Sequence, residues 1–191
     1  MSALPHTPGV AFELDGQPIT AHPGETILKA AQRHGVEIPH LCYTDGLRPD
    51  GNCRACVVEI AGERTLAPSC CRAPTAGMKV QAASPRARKS QQMVVEMLLS
   101  DMPDVGYQWN DDRPDTPELI AGGAYPSSAR AQFDSKNAEA VGQHGELSQW
   151  ADRLGVSVRP ALQALRREQP APDLSHPAMA VNLDACIQCN R

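Results

Sequence analysis

The chain has 191 residues, a formal net charge of −4, 17 prolines and only 4% aromatic residues. The mildly acidic charge argues against nucleic-acid binding, which needs a basic face. No apolar run approaches the roughly 20 residues that span a bilayer, and the N-terminus has neither the basic nor the apolar region of a secretory signal. We therefore expect a cytoplasmic protein with no nucleic-acid partner and no membrane insertion.

The first half of the chain has the pattern of a compact α+β domain over residues 9–84, after a disordered lead-in at 1–8. Asp15-Gly16 is a strong hairpin signal between two strands, and Thr26 and Gly35 are suited to begin and end a helix. In chain order, the predicted elements are strands at 10–14 and 18–21, a helix at 26–34, and strands at 56–60, 65–69 and 78–82. This order is typical of the β-grasp (ubiquitin-like) fold.

A helical extension is predicted over residues 85–102, with Ser84 as its N-cap and Pro85 in its first turn. This helix contains an apolar stripe that we expect to pack against the domain: Met93, Val94, Met97 and Leu98. Residues 103–175 are rich in proline, glycine and polar residues, which predicts a loosely structured linker or insertion. Periodic apolar residues predict two short helices within it, at 146–154 and 160–167.

The cysteines are the residues most suited to carry chemistry, and there are seven: Cys42, Cys53, Cys56, Cys70, Cys71, Cys186 and Cys189. The first five follow the spacing C-x10-C-x2-C-x13-C, with Cys70 and Cys71 as alternatives for the last position. Four thiolates in a loop-rich segment suit a 2Fe-2S cluster. The alternative is a structural zinc site in an interaction module without redox chemistry, although zinc ribbons usually contain two short-spaced cysteine pairs. Spacing alone does not decide between Cys70 and Cys71.

Two motifs surround the first three cysteines: Pro39-His40-Leu41-Cys42 and Arg48-Pro49-Asp50-Gly51-Asn52-Cys53-Arg54-Ala55-Cys56-Val57-Val58-Glu59-Ile60. They resemble the N-terminal 2Fe-2S ferredoxin domain of three related electron-input subunits. These belong to respiratory complex I, to NAD-reducing hydrogenases and to NAD-dependent molybdenum or tungsten formate dehydrogenases. The resemblance implies that Cys42, Cys53, Cys56 and Cys70 bind the cluster, that the chain transfers single electrons, and that it contains no catalytic residue.

The C-terminus also resembles this family, because Cys186 and Cys189 look like the start of a 4Fe-4S ferredoxin run over residues 176–191. Two cysteines cannot hold such a cluster, so we expect a fragment of a longer subunit that carries the 4Fe-4S clusters. In complex I and hydrogenase subunits, a cluster held by one histidine and three cysteines follows the helix. This chain has no cysteine between Cys71 and Cys186, which favours a formate dehydrogenase alpha subunit.

The resemblance to formate dehydrogenase also implies partners. Electrons would pass between the molybdenum or tungsten centre, held by the later part of the alpha subunit, and a beta subunit that binds flavin and NAD. An electron-input subunit of an NAD-reducing hydrogenase or of complex I is the alternative. Arg54 lies between two predicted ligands, where its charge has either a tuning role or a plain surface role.

Overall fold

The computed structural model describes residues 9–102, 146–168, 173–176, 178–181 and 186–187. The predicted lead-in at 1–8 and most of the predicted linker lie outside these ranges. The described chain contains strands β1 (Val10–Leu14) and β2 (Gln17–Ala21), helix α1 (Ile27–Arg33), strands β3 (Val57–Ile60), β4 (Ala67–Pro68) and β5 (Lys79–Gln81), and helix α2 (Pro85–Ser100). Further along are helices α3 (Glu146–Leu154) and α4 (Pro160–Gln163), and strands β6 (Asp173–His176) and β7 (Met179–Val181).

The chain divides into two compact units, and the first contains the described residues up to 96 together with 154–156. Its five strands form a mixed sheet in the order β2-β1-β5-β3-β4. β1 pairs antiparallel with β2 and parallel with β5, and β3 pairs antiparallel with both β4 and β5. The β-grasp prediction is confirmed, because one mixed sheet is built from two hairpin-like pairs with a helix between them in sequence.

The core of this unit lies between the sheet and α1. Helix α1 contributes the fully buried side chains of Ile27, Leu28, Ala30 and Ala31, while alternate residues of β1, Phe12 and Leu14, are at most 3% exposed. Thr26 is the N-cap, as predicted, and its hydroxyl oxygen accepts a hydrogen bond from the backbone N–H of Lys29 at 3.4 Å. Apolar residues on one face of α1, with the 3.6-residue period of a helix, and on alternate positions of β1 therefore form this core.

Helix α2 begins as predicted, because the Ser84 hydroxyl oxygen accepts a hydrogen bond from the Ala87 N–H at 3.1 Å. The predicted apolar stripe is wrong. Met93 and Met97 are 49% and 60% exposed, and Val94 and Leu98 are only half-buried. The buried residues of α2 are Ala87, Gln91, Val95 and Glu96.

A polar side chain decides which face of α2 is buried. Gln91 is 2% exposed, and its amide nitrogen donates hydrogen bonds to the carbonyl oxygens of Val57 at 2.9 Å and Ala82 at 3.1 Å. The two hydrogen bonds satisfy the Gln91 amide nitrogen in a buried position. Hydrophobic periodicity alone does not reveal this buried face, because one of its residues is a glutamine whose acceptors are distant in the sequence.

The second unit contains the described residues 97–102, 146–153 and those from 157 onward. Helix α3 has the predicted bounds, whereas α4 is shorter than the predicted 160–167. After Gln163 the backbone tightens, since Leu165 and Arg166 donate to carbonyls three residues earlier. The β6–β7 hairpin is not among the predicted elements. No helix in the described ranges is both long and apolar enough to cross a bilayer.

Candidate metal centre

The first four cysteines lie on two connections of the first unit. Cys42, Cys53 and Cys56 lie in the connection between α1 and β3, with Cys56 immediately before β3, and Cys70 lies in the connection after β4. Cys42, Cys56 and Cys70 are 6%, 1% and 0% exposed, and Cys53 is half-buried. The predicted ligands therefore lie in loops and at the ends of strands. At these positions they do not interrupt the backbone hydrogen bonds between the strands of the sheet.

The segment that carries Cys70 is fixed by the start of α1. The N–H groups of Ile27 and Leu28, which have no partner within the helix, donate to the carbonyls of Arg72 at 2.8 Å and Ser69 at 3.0 Å. Ser69 in turn binds the Cys56 carbonyl oxygen twice, through its N–H at 3.0 Å and its hydroxyl at 2.7 Å. One buried serine thus ties the segment before β3 to the segment after β4.

The cysteine side chains interact with one another across the site. The side chain of Cys56 interacts with that of Cys70, and the side chain of Cys53 with that of Cys42, while the Cys70 sulfur also lies 3.5 Å from the Cys71 sulfur. Within the described ranges, no three side chains of Cys, His, Asp or Glu come together as ligands for a single metal ion. The structure therefore brings the predicted ligands together two by two.

Backbone N–H groups face the Cys53 sulfur. Burial raises the pKa of the Cys53 thiol, and the backbone N–H groups of Ala55, Cys42 and Leu41 oppose this by stabilising the thiolate. Arg54, the residue after Cys53, has a φ of 58°, a left-handed conformation that is costly for a residue with a Cβ. This conformation is part of the tight path of the chain from Cys53 to Cys56.

The Cys56–Cys70 pair holds its protons unequally. The hydrogen bond from Cys70 is the main cause that lowers the pKa of Cys56 to about 6, against the effect of burial. The same hydrogen bond raises the pKa of Cys70, because a proton shared with a neighbouring thiolate is hard to remove. Since thiolates are the metal-binding form of cysteine, this buried pair has one sulfur ready to bind at neutral pH.

Cys71 is exposed and lies beside the predicted ligand rather than among the buried four. Its sulfur is 3.5 Å from the Cys70 sulfur and 3.6 Å from the Pro49 carbonyl oxygen. Gly51 passes directly over it, since a Cβ at Gly51 would lie 3.0 Å from the Cys71 sulfur. Gly51 also has a φ of 66°, so both backbone conformation and space require glycine there.

Replacing Gly51 with alanine is expected to lower the free energy of unfolding by about 1–2 kcal/mol from the left-handed backbone, and by more from the Cys71 contact. Gly46→Ala is the matched control, because Gly46 has a φ of 87° but open space around it. Urea denaturation of both variants separates the two effects. Equal losses would contradict a role for the Cys71 contact.

Two polar contacts that sequence reasoning missed brace the loop after Cys42. Lys29 of α1 binds both carboxylate oxygens of Asp45 at 2.6 and 2.8 Å, and the Tyr43 hydroxyl donates to Asp45 at 3.3 Å. The hydrogen bonds of Ser69 were missed as well. The Lys29–Asp45 and Ser69–Cys56 contacts join residues that are 16 and 13 positions apart, so they leave no short-range signal in the sequence.

The two C-terminal cysteines are separate from this site in the sequence. Cys186 belongs to the second unit and is half-buried, and its carbonyl oxygen accepts a hydrogen bond from Arg167 at 3.0 Å. Cys189 lies outside the described residues, so a ligand role for both cysteines stays a prediction.

Comparison with known proteins identifies the family of the first unit. Residues 7–85 match the family model described as a 2Fe-2S iron-sulfur cluster binding domain. The chain is 39% identical over 94 residues to a subunit of the NADH-quinone oxidoreductase of Rhizobium meliloti (strain 1021), covering 49% of this chain and 11% of the relative. It is 41% identical over 99 residues to the NADP-reducing hydrogenase subunit HndD of Solidesulfovibrio fructosivorans, covering 49% and 17%. The chain thus spans less than a fifth of these relatives.

A solved structure extends the likeness beyond the domain. The crystal structure of an NAD+-reducing NiFe hydrogenase in the H2-reduced state aligns with a TM-score of 0.62 and 25% identity, covering 94% of this chain and 62% of that chain. Residues 7–85 are therefore a 2Fe-2S iron-sulfur cluster binding domain, homologous to domains found in subunits of NADH-quinone oxidoreductases and of NAD(P)-reducing hydrogenases.

Proposed function

We propose that Cys42, Cys53, Cys56 and Cys70 bind a 2Fe-2S cluster and that the chain passes single electrons. The observation that carries this assignment is the burial of Cys42, Cys56 and Cys70 beside half-buried Cys53, on two segments that the Ser69 hydrogen bonds to the Cys56 carbonyl oxygen tie together, with Cys71 left exposed. A 2Fe-2S cluster takes two protein ligands on each of its two irons. A structural zinc ion would instead take all four ligands around a single metal.

The residues around the sulfurs suit a group that gains negative charge. A bound 2Fe-2S cluster supplies one-electron chemistry. Backbone N–H groups beside the Cys53 and Cys56 sulfurs stabilise added negative charge, and the apolar core excludes water from Cys56 and Cys70. The four cysteine sulfurs, the neighbouring backbone N–H groups and the burial of the site are therefore each suited to a 2Fe-2S cluster.

The larger assembly that we favour is an NAD-dependent formate dehydrogenase. The chain would be part of its alpha subunit, between the molybdenum or tungsten centre and a beta subunit that binds flavin and NAD, in the cytoplasm. The stretch without cysteine from residue 72 to residue 185 supports this context. Cys186 and Cys189 would begin a 4Fe-4S site, completed in a longer subunit that holds further 4Fe-4S clusters.

An electron-input subunit of an NAD-reducing hydrogenase or of complex I is the second candidate. The comparisons favour it, since the relatives and the aligned crystal structure carry those names. Both candidates give this domain the same one-electron role. They differ in the source of the electrons.

Purification of the complete native assembly that contains this chain would distinguish the candidates. We expect formate to drive NAD+ reduction, and molybdenum or tungsten to copurify with the protein. NAD+ reduction driven by hydrogen, with nickel in place of molybdenum or tungsten, would overturn the formate dehydrogenase assignment and support the hydrogenase. Oxidation of NADH coupled to reduction of a quinone, with no turnover of formate or hydrogen, would support the complex I relative.

A further inference from the structure

Cys53 is the point at which the predicted ligand set comes nearest to solvent. The other three ligands are at most 6% exposed, whereas Cys53 is half-buried and is flanked by the exposed residues Asn52 and Arg54. Electron transfer between proteins slows steeply with distance. The surface beside Cys53 is therefore the shortest route by which an electron can enter or leave.

The charged side chains between Cys42 and Cys56, here called the cysteine loop, differ in whether an opposite charge lies beside them. Asp45 is bound to Lys29 at 2.6 Å, and Arg48 lies 3.5 Å from Asp50. Arg54, in contrast, forms no ion pair with any residue in the described ranges. The uncompensated charge of this loop is therefore positive and lies next to Cys53.

The backbone holds Arg54 in this place at a cost. Its φ of 58° makes it one of two residues other than glycine with positive φ in the described chain, the other being Asp15 in the β1–β2 turn. Asp15 has a structural explanation, because its carboxylate accepts hydrogen bonds from the N–H groups of Ala82 and Ala83. Among the described residues, the Arg54 side chain makes no such contact, and a strained backbone position beside a predicted ligand is a reason to look for function.

We propose that the surface formed by Cys53 and Arg54 is the electron-exchange face, and that Arg54 attracts a redox protein with carboxylates around its own contact point. This inference rests on the proposed electron-transfer function. Redox encounters use small interfaces, in which a single exposed charge changes the association rate strongly. The exposed guanidinium of Arg54 is complementary in charge to an anionic surface on such a partner.

Two small oxidants of opposite charge test this proposal: ferricyanide, an anion, and hexaammineruthenium(III), a cation. One electron passes from the dithionite-reduced protein to one oxidant ion, giving ferrocyanide or hexaammineruthenium(II), with no bond broken and no proton moved. Stopped-flow bleaching is followed at low salt for the parent protein, Arg54→Gln and Arg54→Glu. Arg88→Glu, at an exposed position on α2, is the control for net charge.

We expect Arg54→Glu to slow oxidation by ferricyanide about tenfold and to accelerate oxidation by hexaammineruthenium(III) by a similar factor. Arg54→Gln should fall between, and about 0.5 M salt should remove most of the difference. Unchanged rates in Arg54→Glu, or equal changes in Arg88→Glu, would overturn the exchange face while the coloured protein left the electron-transfer function intact. A parent protein that cannot be reconstituted with iron would overturn the proposed function, and this inference with it.

Discussion

The Cys70→Ser variant is expected to lose almost all of its iron and its visible colour, while Cys71→Ser keeps both. Cys70 is 0% exposed and is hydrogen-bonded to Cys56, whereas Cys71 is exposed. A serine oxygen is a much harder ligand than a thiolate, and iron–sulfur clusters prefer soft sulfur. Iron content and the absorption spectrum after anaerobic reconstitution measure the effect.

Cys71→Ser is the matched control, because it makes the same chemical change one residue away. Its sulfur lies beside the Cys70 sulfur and the Pro49 carbonyl oxygen at the surface, so replacing it should remove little from the fold. Retention of iron in Cys70→Ser with loss in Cys71→Ser would contradict the assignment and make Cys71 the fourth ligand. Circular dichroism of both variants distinguishes loss of the ligand from loss of the fold.

Replacing Gln91 with methionine is expected to lower the free energy of unfolding by about 2–4 kcal/mol. Methionine has a similar length but cannot donate, so the carbonyls of Val57 and Ala82 lose their hydrogen bonds in a buried site. Val57 directly follows Cys56, which means that the same change loosens the strand beside a predicted ligand. Urea denaturation, followed by circular dichroism, measures the loss.

The control for this prediction is Gln81→Met. Gln81 ends β5 in an exposed position, so the same substitution there should change the free energy of unfolding by less than about 0.5 kcal/mol. Equal effects at the two positions would contradict the view that Gln91 orients α2 through its hydrogen bonds.

Local patterns carried most of the fold prediction for residues 9–102. Alternation in β1, the turn at Asp15-Gly16 and the caps at Thr26 and Ser84 are short-range signals, and each element that they predict is present. The packed face of α2 was predicted wrongly, since it depends on acceptors 9 and 34 residues from Gln91. The β6–β7 hairpin, with strands of four and three residues, was not among the predicted elements.

The chemistry of the candidate site was predictable from the sequence, but the contacts that build the site were not. Cysteine count and spacing indicated the metal chemistry, but left Cys70 and Cys71 as alternatives. The pairing of the sulfurs, the Ser69 link and the Lys29–Asp45 ion pair come from the tertiary fold, which brings residues together across 11 to 16 positions. The strained backbone of Arg54 has no sequence signal at all, because arginine does not favour positive φ.

Cluster content decides whether this domain transfers electrons, and we propose that it holds a 2Fe-2S cluster. Electron paramagnetic resonance and visible absorption of the anaerobically purified protein, with iron and zinc counted in the same sample, test it most directly. We expect a red-brown protein with about two irons per chain, no stoichiometric zinc, and a rhombic signal that appears on reduction with dithionite. A colourless protein with one zinc per chain and no signal on reduction would contradict it.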